Sequence, residues 1–311
     1  MSHEMDTSFV TVATCNLNQW ALDFPGNLRR IEESCAQAKA QGAKYRLGPE
    51  LEVCGYGCED HFYEMDTIKH CWDGLAQLLK GEATVGLLCD FGMPVIHQSV
   101  RYNCRVFCLN RKILLIRPKL FLANEGNYRE LRWFTSWSSD KLGSALETFA
   151  LPRRIAQLNG QTQCPIGIGI LRAADGVTVA AETCEEAFTA ESPHVALSLA
   201  GTDIISNGSG SHHELRKLNK RVELIRGASN KCGGAYMYSN MIGCDGGRLY
   251  YDGCSMIFVN GLPLAQAAQF SMREVEVISA TIDLDEIRSH RAAVSSRSIQ
   301  AAETTRKFPF V

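Results

Sequence analysis

No stretch of the 311-residue chain stays apolar for the roughly 18 residues that a membrane-spanning helix needs, so no membrane association is expected. Charge of one sign is also missing. Lys+Arg is 32 against Asp+Glu 34, a formal net charge of -2, which argues against a general nucleic-acid binder and against a polybasic membrane anchor. The start, Met1-Ser-His-Glu-Met-Asp6, is polar and acidic and reads as neither a secretory signal nor a transit peptide; a cytoplasmic location is expected. There is no G-x-x-x-x-G-K-[ST] phosphate loop, no G-x-G-x-x-G opening a helix, no G-x-S-x-G elbow and no C-x-x-C. No short-period repeat is visible, which excludes a solenoid. What remains is an ordinary globular composition, 45% hydrophobic and 21% charged, long enough for one large domain or two smaller ones.

Cysteine is the exception to this scarcity. Thirteen are scattered from Cys15 to Cys254, an odd number in a chain long enough to build a core without disulfides. Most therefore read as reduced, buried small hydrophobes. A zinc site from Cys54, Cys58 and His61 is conceivable by spacing, but core packing explains the pair better, as it does Cys104 and Cys108 on one strand face. No metal is expected.

Short β-branched and apolar runs predict strands at 9–15, 45–47, 85–89, 101–109, 113–116, 166–171, 177–181, 203–206, 235–239 and 275–282. Helical spacing marks 28–38, 66–80 and about 213–229, with a shorter helix near Pro193. Hairpins are predicted at Asn110-Arg111-Lys112, Ala174-Asp175-Gly176 and Asn260-Gly261. Residues 135–163 read as a polar, irregular excursion, and 291–311 as an aperiodic linker. Mixed strands with helices between them suggest sheets packed together with helices outside.

Three chemically capable residues each follow a predicted strand: Glu50, Lys119 and Cys184. Strand ends are where side chains converge in layered α/β folds. A thiol can attack an amide carbonyl if a carboxylate takes its proton and an ammonium group holds the developing oxyanion. Residue type alone leaves the bland alternatives open, since any one of thirteen cysteines can be core and a lone lysine is usually a solvated surface group.

Longer motifs narrow the choice. Tyr45-Arg-Leu-Gly-Pro-Glu-Leu-Glu-Val-Cys-Gly-Tyr-Gly-Cys58, Val100 through Lys119, Asn124 through Phe134, Glu182-Thr-Cys-Glu-Glu186, Asn207-Gly-Ser-Gly-Ser-His-His213 and Gly243 through Cys254 resemble the nitrilase superfamily. Within it they resemble the glutaminase domains of eukaryotic-type glutamine-dependent NAD synthetases. The resemblance implies a four-layer α-β-β-α sandwich over residues 1–290, with 291–311 the start of a linker toward a synthetase domain. It implies a triad in which Glu50 is the general base, Lys119 the oxyanion-stabilising cation and Cys184 the nucleophile, with Glu130 orienting lysine and cysteine. It places Tyr56 and Tyr128 around a glutamine pocket, Ser209 and Ser211 at the α-amino and α-carboxylate groups, and Lys217 as a cationic partner there. Core packing for the tyrosines and local turn formation for the serines are the alternative readings. His212 and His213 read as helix-start or surface residues.

The implied reaction is hydrolysis of the glutamine side-chain amide through a thioester, with ammonia delivered to nicotinic acid adenine dinucleotide. The chain departs from the resemblance in length and in lacking a Ser-Gly-Gly-x-Asp-Ser pyrophosphate loop. ATP and Mg2+ are therefore expected only with an absent synthetase domain, and no cofactor with this chain. Phe188 stands where the resemblance implies Trp. Glutamine, that domain and further copies of the chain are the expected partners. The competing readings are a stand-alone amidase for another carboxamide and a non-catalytic regulatory module of the same fold.

Overall fold

Many strand residues here are apolar on both faces, a pattern that persists only where both faces are covered. In the computed structural model, which describes residues 8–138, 146–304 and 306–311, two sheets stack and helices cover their outer faces. The first half runs β1 (Phe9–Leu17), α1 (Phe24–Ala40), β2 (Tyr45–Leu47), α2 (Met65–Lys80), β3 (Leu88–His97), β4 (Val100–Leu109) and β5 (Lys112–Pro118). A single turn α3 (Glu130–Trp133) leads to β6 (Glu147–Ala150), α4 (Arg153–Asn159) and β7 (Gln163–Ile166). The second half runs β8 (Leu171–Arg172), β9 (Thr178–Thr183), α5 (Pro193–Leu199), β10 (Ile204–Gly208), α6 (Lys217–Cys232) and β11 (Ala235–Cys244). It continues with β12 (Tyr250–Asp252), β13 (Met256–Val259), β14 (Leu262–Gln266), β15 (Val275–Asp283), α7 (Leu284–Ala292) and α8 (Ser295–Glu303).

One sheet has the order β6-β7-β5-β4-β3-β2-β1 with β15 alongside β1; the other has β8-β9-β10-β11 with β13 and β14 beyond. They join where β1 meets β11 in parallel over two pairs, Asn16 with Asn240 and Leu17 with Met241. Between the sheets Val12, Tyr45, Leu47, Phe107 and Leu115 meet Val179, Ala181, Ile204, Met237 and Ile257. Their strand neighbours, such as Ala13, Val106, Ala180, Ile205 and Tyr236, face outward into the helix-covered cluster. This alternation makes the architecture four layers, helix–sheet–sheet–helix, as the sequence resemblance implied. In α1 the apolar face 28, 31, 35 and 38 is buried, and Asp23 caps the helix by accepting from Gly26 N–H at 3.1 Å. Burying the two large side chains of this face, Leu28 and Ile31, contributes roughly 1.5–3 kcal/mol each.

The hairpins at 110–112 and 260–261 form as expected. Asn110 and Arg111 have φ of 48° and 64°, and Asn260 and Gly261 of 49° and 84°, which is the twist that tight antiparallel turns require. Four expectations are corrected. The run read as a strand at 85–89 begins at Leu88 and continues to His97 through Pro94. Proline is tolerated because β2 pairs β3 only as far as Asp90, so the later part of β3 has β4 alone as its partner. The predicted strand 166–171 is broken: Ile166 ends β7 in the first sheet, Gly167 takes φ +139°, and Leu171 starts β8 in the second. The excursion 135–163 contains β6 and α4, while its residues 139–145 lie outside the described ones. The aperiodic segment 291–311 carries α8 and then returns to the sheet, with Ile170 N–H donating to Pro309 O and Val311 N–H donating to Ile170 O. Among the described residues no helix is long and apolar enough to cross a membrane.

Candidate active site

Strands β2, β5, β9 and β10 all release the chain at one edge of the sandwich, and the polar residues just past their ends meet there. Glu50 lies three residues beyond β2, Lys119 directly after β5, and Cys184 directly after β9. Glu130 opens α3. Glu50, Lys119, Glu130 and Cys184 are all buried.

Lys119 Nζ stands between two carboxylates, 2.6 Å from Glu50 Oε1 and 2.8 Å from Glu130 Oε1. Glu50 Oε1 also accepts from Asn103 Nδ2 at 2.7 Å, and its Oε2 accepts from Gly210 N–H at 3.1 Å. Glu50 N–H donates to Ser209 O at 3.2 Å, so this residue is tied to the second sheet twice. Glu130 Oε1 accepts from Tyr56 Oη at 2.5 Å and its Oε2 from Ala123 N–H at 3.2 Å. Cys184 begins a short 3-10 turn, Cys184–Ala187, with φ +40°, and its N–H donates to Asn207 Oδ1 at 2.9 Å.

Burial lowers the affinity of Lys119 for its proton, but Glu130 and Glu50 outweigh that and hold the ammonium firmly charged. One cation cannot fully serve two buried acids. Burial, reinforced by Glu50 and opposed by Lys119, pushes Glu130 up to about 7. Burial followed by the charge of Glu50 pushes the Cys184 thiol up, against the pull of Lys119. The protonated thiol is therefore the favoured form, and the charges of Glu50 and Lys119 both act on it.

Cys184 opens onto a cleft of about 720 Å³. Tyr128, Ser211, His212 and Lys217 line it, with Glu125, Glu185 and Glu214 supplying negative charge. Tyr128 Oη lies 3.1 Å from Gly210 O and 2.8 Å from His212 Nδ1, and Lys217 Nζ sits 5.5 Å from the Tyr128 ring centroid. Tyr56 and Ser209 stand behind the cleft: the tyrosine reaches Glu130, and Ser209 Oγ donates to Asn207 Oδ1 at 2.9 Å. His212, expected at a surface or helix start, is instead buried in the cleft wall, where Glu214 Oε1 meets its Nε2 at 3.0 Å. Cys54 and Cys58 donate to backbone carbonyls, and His61 is exposed beside Glu64. Among the described residues no cluster of three or more metal-ligating side chains forms.

Several residues that shape the site are not among those singled out from the sequence. Arg105, fully buried in mid-strand, donates to Gly48 O and Pro49 O at 2.7 Å each and to Asp90 Oδ1 at 2.6 Å. It thereby fixes the two residues before Glu50. Gly208 leaves it room, since a Cβ there would lie 2.3 Å from Arg105 Nη1. Arg46 makes a bidentate pair with Glu52 at 2.7 and 2.8 Å on the other side of the same loop. A charged residue inside an apolar run was the available hint.

A helix–sheet–sheet–helix sandwich that brings a carboxylate, an ammonium and a thiol together at the ends of separate strands defines a class of layered α/β hydrolases. The sequence model of the carbon-nitrogen hydrolase family matches residues 11–292, and the chain belongs to that family. It is 58% identical over 97% of its length to a glutamine-dependent NAD(+) synthetase of Dictyostelium discoideum, and 55% identical over 95% to one of Homo sapiens. It spans only 42% and 41% of those relatives. A crystal structure of a glutamine-dependent NAD(+) synthetase from Cytophaga hutchinsonii superposes with a TM-score of 0.75 at 26% identity, covering 88% of this chain and 43% of that one. An amidase of Nesterenkonia sp. AN1 shares the fold at TM-score 0.68 and 16% identity, covering 93% of this chain and 97% of its own.

Proposed function

We propose that this chain hydrolyses the side-chain amide of glutamine, and that the ammonia serves synthesis of NAD+ from nicotinic acid adenine dinucleotide in a longer protein. The observation that carries the reading is Lys119 held at 2.6 and 2.8 Å between Glu50 and Glu130, beside a buried cysteine that faces a polar cleft. The names of relatives at 54–58% identity supply the substrate.

In the proposed reaction Glu50 takes the thiol proton as Cys184 sulfur attacks the carboxamide carbon. Lys119 holds the oxyanion; losing one such donor typically costs about 3–4 kcal/mol. Glu50 returns the proton to the leaving nitrogen, ammonia departs, and a γ-glutamyl thioester remains. Water attacks the thioester, Glu50 takes its proton, and collapse releases glutamate and restores the thiol. Glu130 and Tyr56 keep Lys119 in place. Ser211, Lys217 and Tyr128 receive the amino-acid end, and Ser209 supports them from behind. These steps use protein groups alone; ATP and Mg2+ belong to the amidation, for which we propose the remainder of the longer protein.

The test is turnover of glutamine against acetamide and propionamide, with Cys184→Ala as control. Glutamine should be strongly preferred, and the variant should keep the fold and lose hydrolysis. Turnover by the variant would refute the nucleophile, and preference for a simple amide would refute the substrate.

A further inference from the structure

Cys184 holds φ +40°, a left-handed conformation that a residue with a Cβ adopts at a cost. The strand ladder does not impose it, because the β9–β10 register ends with Thr183 opposite Gly208. A side chain does the holding. Asn207 Oδ1 accepts from Cys184 N–H at 2.9 Å, and Asn207 Nδ2 faces Cys184 O at 3.4 Å. One amide grips both polar groups of the cysteine backbone.

An amide can turn over, and a turned amide would present its NH2 to the Cys184 N–H. Three buried groups set its direction. Ser209 Oγ donates to Oδ1 at 2.9 Å. Tyr236 Oη accepts from Nδ2 at 3.2 Å, and it is free to accept because its own proton goes to Glu182 Oε2 at 2.6 Å. Glu182, fully buried, also meets His194 Nδ1 at 3.0 Å. Burial pushes Glu182 up, but His194 and the donors around it bring it below its ordinary value, so it acts as an acceptor. The amide orientation is therefore set: Oδ1 accepts from Cys184 N–H, while Nδ2 donates to Cys184 O and to Tyr236 Oη, which passes its own proton to Glu182. Asn207, Tyr236 and Glu182 are all absent from the cleft lining.

We propose that Glu182, Tyr236 and Asn207 are a positioning relay for the nucleophile: they orient one amide that sets the Cys184 backbone, and Tyr236 acts on the thiol only through Asn207. The relay rests on Cys184 being the nucleophile. The experiment compares wild type, Tyr236→Phe, Asn207→Ala and the double variant by the rate of Cys184 alkylation with a glutamine-like diazo-ketone, read by mass spectrometry, and by glutamine kcat and KM. Each single variant should slow alkylation about tenfold, the equivalent of about 1.4 kcal/mol. The loss should fall on kcat rather than KM, and the double variant should be no slower than Asn207→Ala. Equal rates in all four proteins, losses that multiply in the double variant, or an effect on KM alone would overturn the relay. Should Asn207→Ala not fold, Tyr236→Phe decides by itself, since it removes a single hydroxyl. A wild-type protein that the diazo-ketone leaves unlabelled at Cys184 overturns the nucleophile as well, a result distinct from unchanged rates in the variants.

Discussion

Lys119 is an enclosed charge with two acidic neighbours, and the imbalance has measurable consequences. Replacing it with Met leaves Glu50 and Glu130 buried without their cation, so Lys119→Met should cost about 3–5 kcal/mol in urea denaturation as well as removing the proposed oxyanion donor. Glu130 has a folded-state value of about 7, above its ordinary one of 4.5. A carboxyl raised in this way binds its proton more tightly when folded. It stabilises the protein below pH 4.5, and that contribution is lost as pH rises through about 7. Between pH 5 and pH 8 the stability of the wild type should therefore fall relative to Glu130→Gln, which carries no titrating group. Thermal melts of the two proteins across that range check the sign; a gap that stays constant or moves the other way would contradict it.

At the scale of elements, the loop that presents Glu50 is shaped by neighbouring strands. Arg105 of β4 holds the Gly48 and Pro49 carbonyls, and Gly208 of β10 makes space for it. Gly208→Ala should push the guanidinium off those carbonyls, lowering stability by about 1–3 kcal/mol and slowing turnover by displacing Glu50. Chemical denaturation read beside turnover tests both, and unchanged values for each would show that the loop holds itself. This coupling marks where sequence reading succeeds and where it stops. The sequence places Glu50, Lys119 and Cys184 at strand ends because the apolar runs break at Pro49, at Arg117-Pro118 and at Glu182. Asn103, Arg105 and Asn207 gave no such signal, since each is a polar residue inside a strand whose partner arrives from another part of the chain. The later part of β3 is not legible in the sequence because Gly92 and Pro94 resemble breakers. Gly92 is there because a Cβ would lie 2.4 Å from Leu51 N, and Pro94 because only one strand pairs beside it.

For the molecule as a whole, the returning segment after α8 completes the second sheet at its β8 side. Phe308 is buried, and the Arg172 guanidinium stacks 3.6 Å from the Phe310 ring centroid. Phe308→Ala should cost about 3–5 kcal/mol, read as a lower urea midpoint at unchanged slope; an unchanged midpoint would mean that this segment docks without contributing. Among the described residues the strand pairing that stitches the two sheets is β1 with β11 over two positions, and the site straddles them: Glu50 and Lys119 issue from one, Cys184 from the other. Glu50 is also fastened across the gap to Ser209 and Gly210. Acid and sulfur thus sit like the two jaws of a vice, with the acid pinned to both. A force that shifts one slab against the other, applied anywhere on the outer helices, changes the bite without ever entering the cleft.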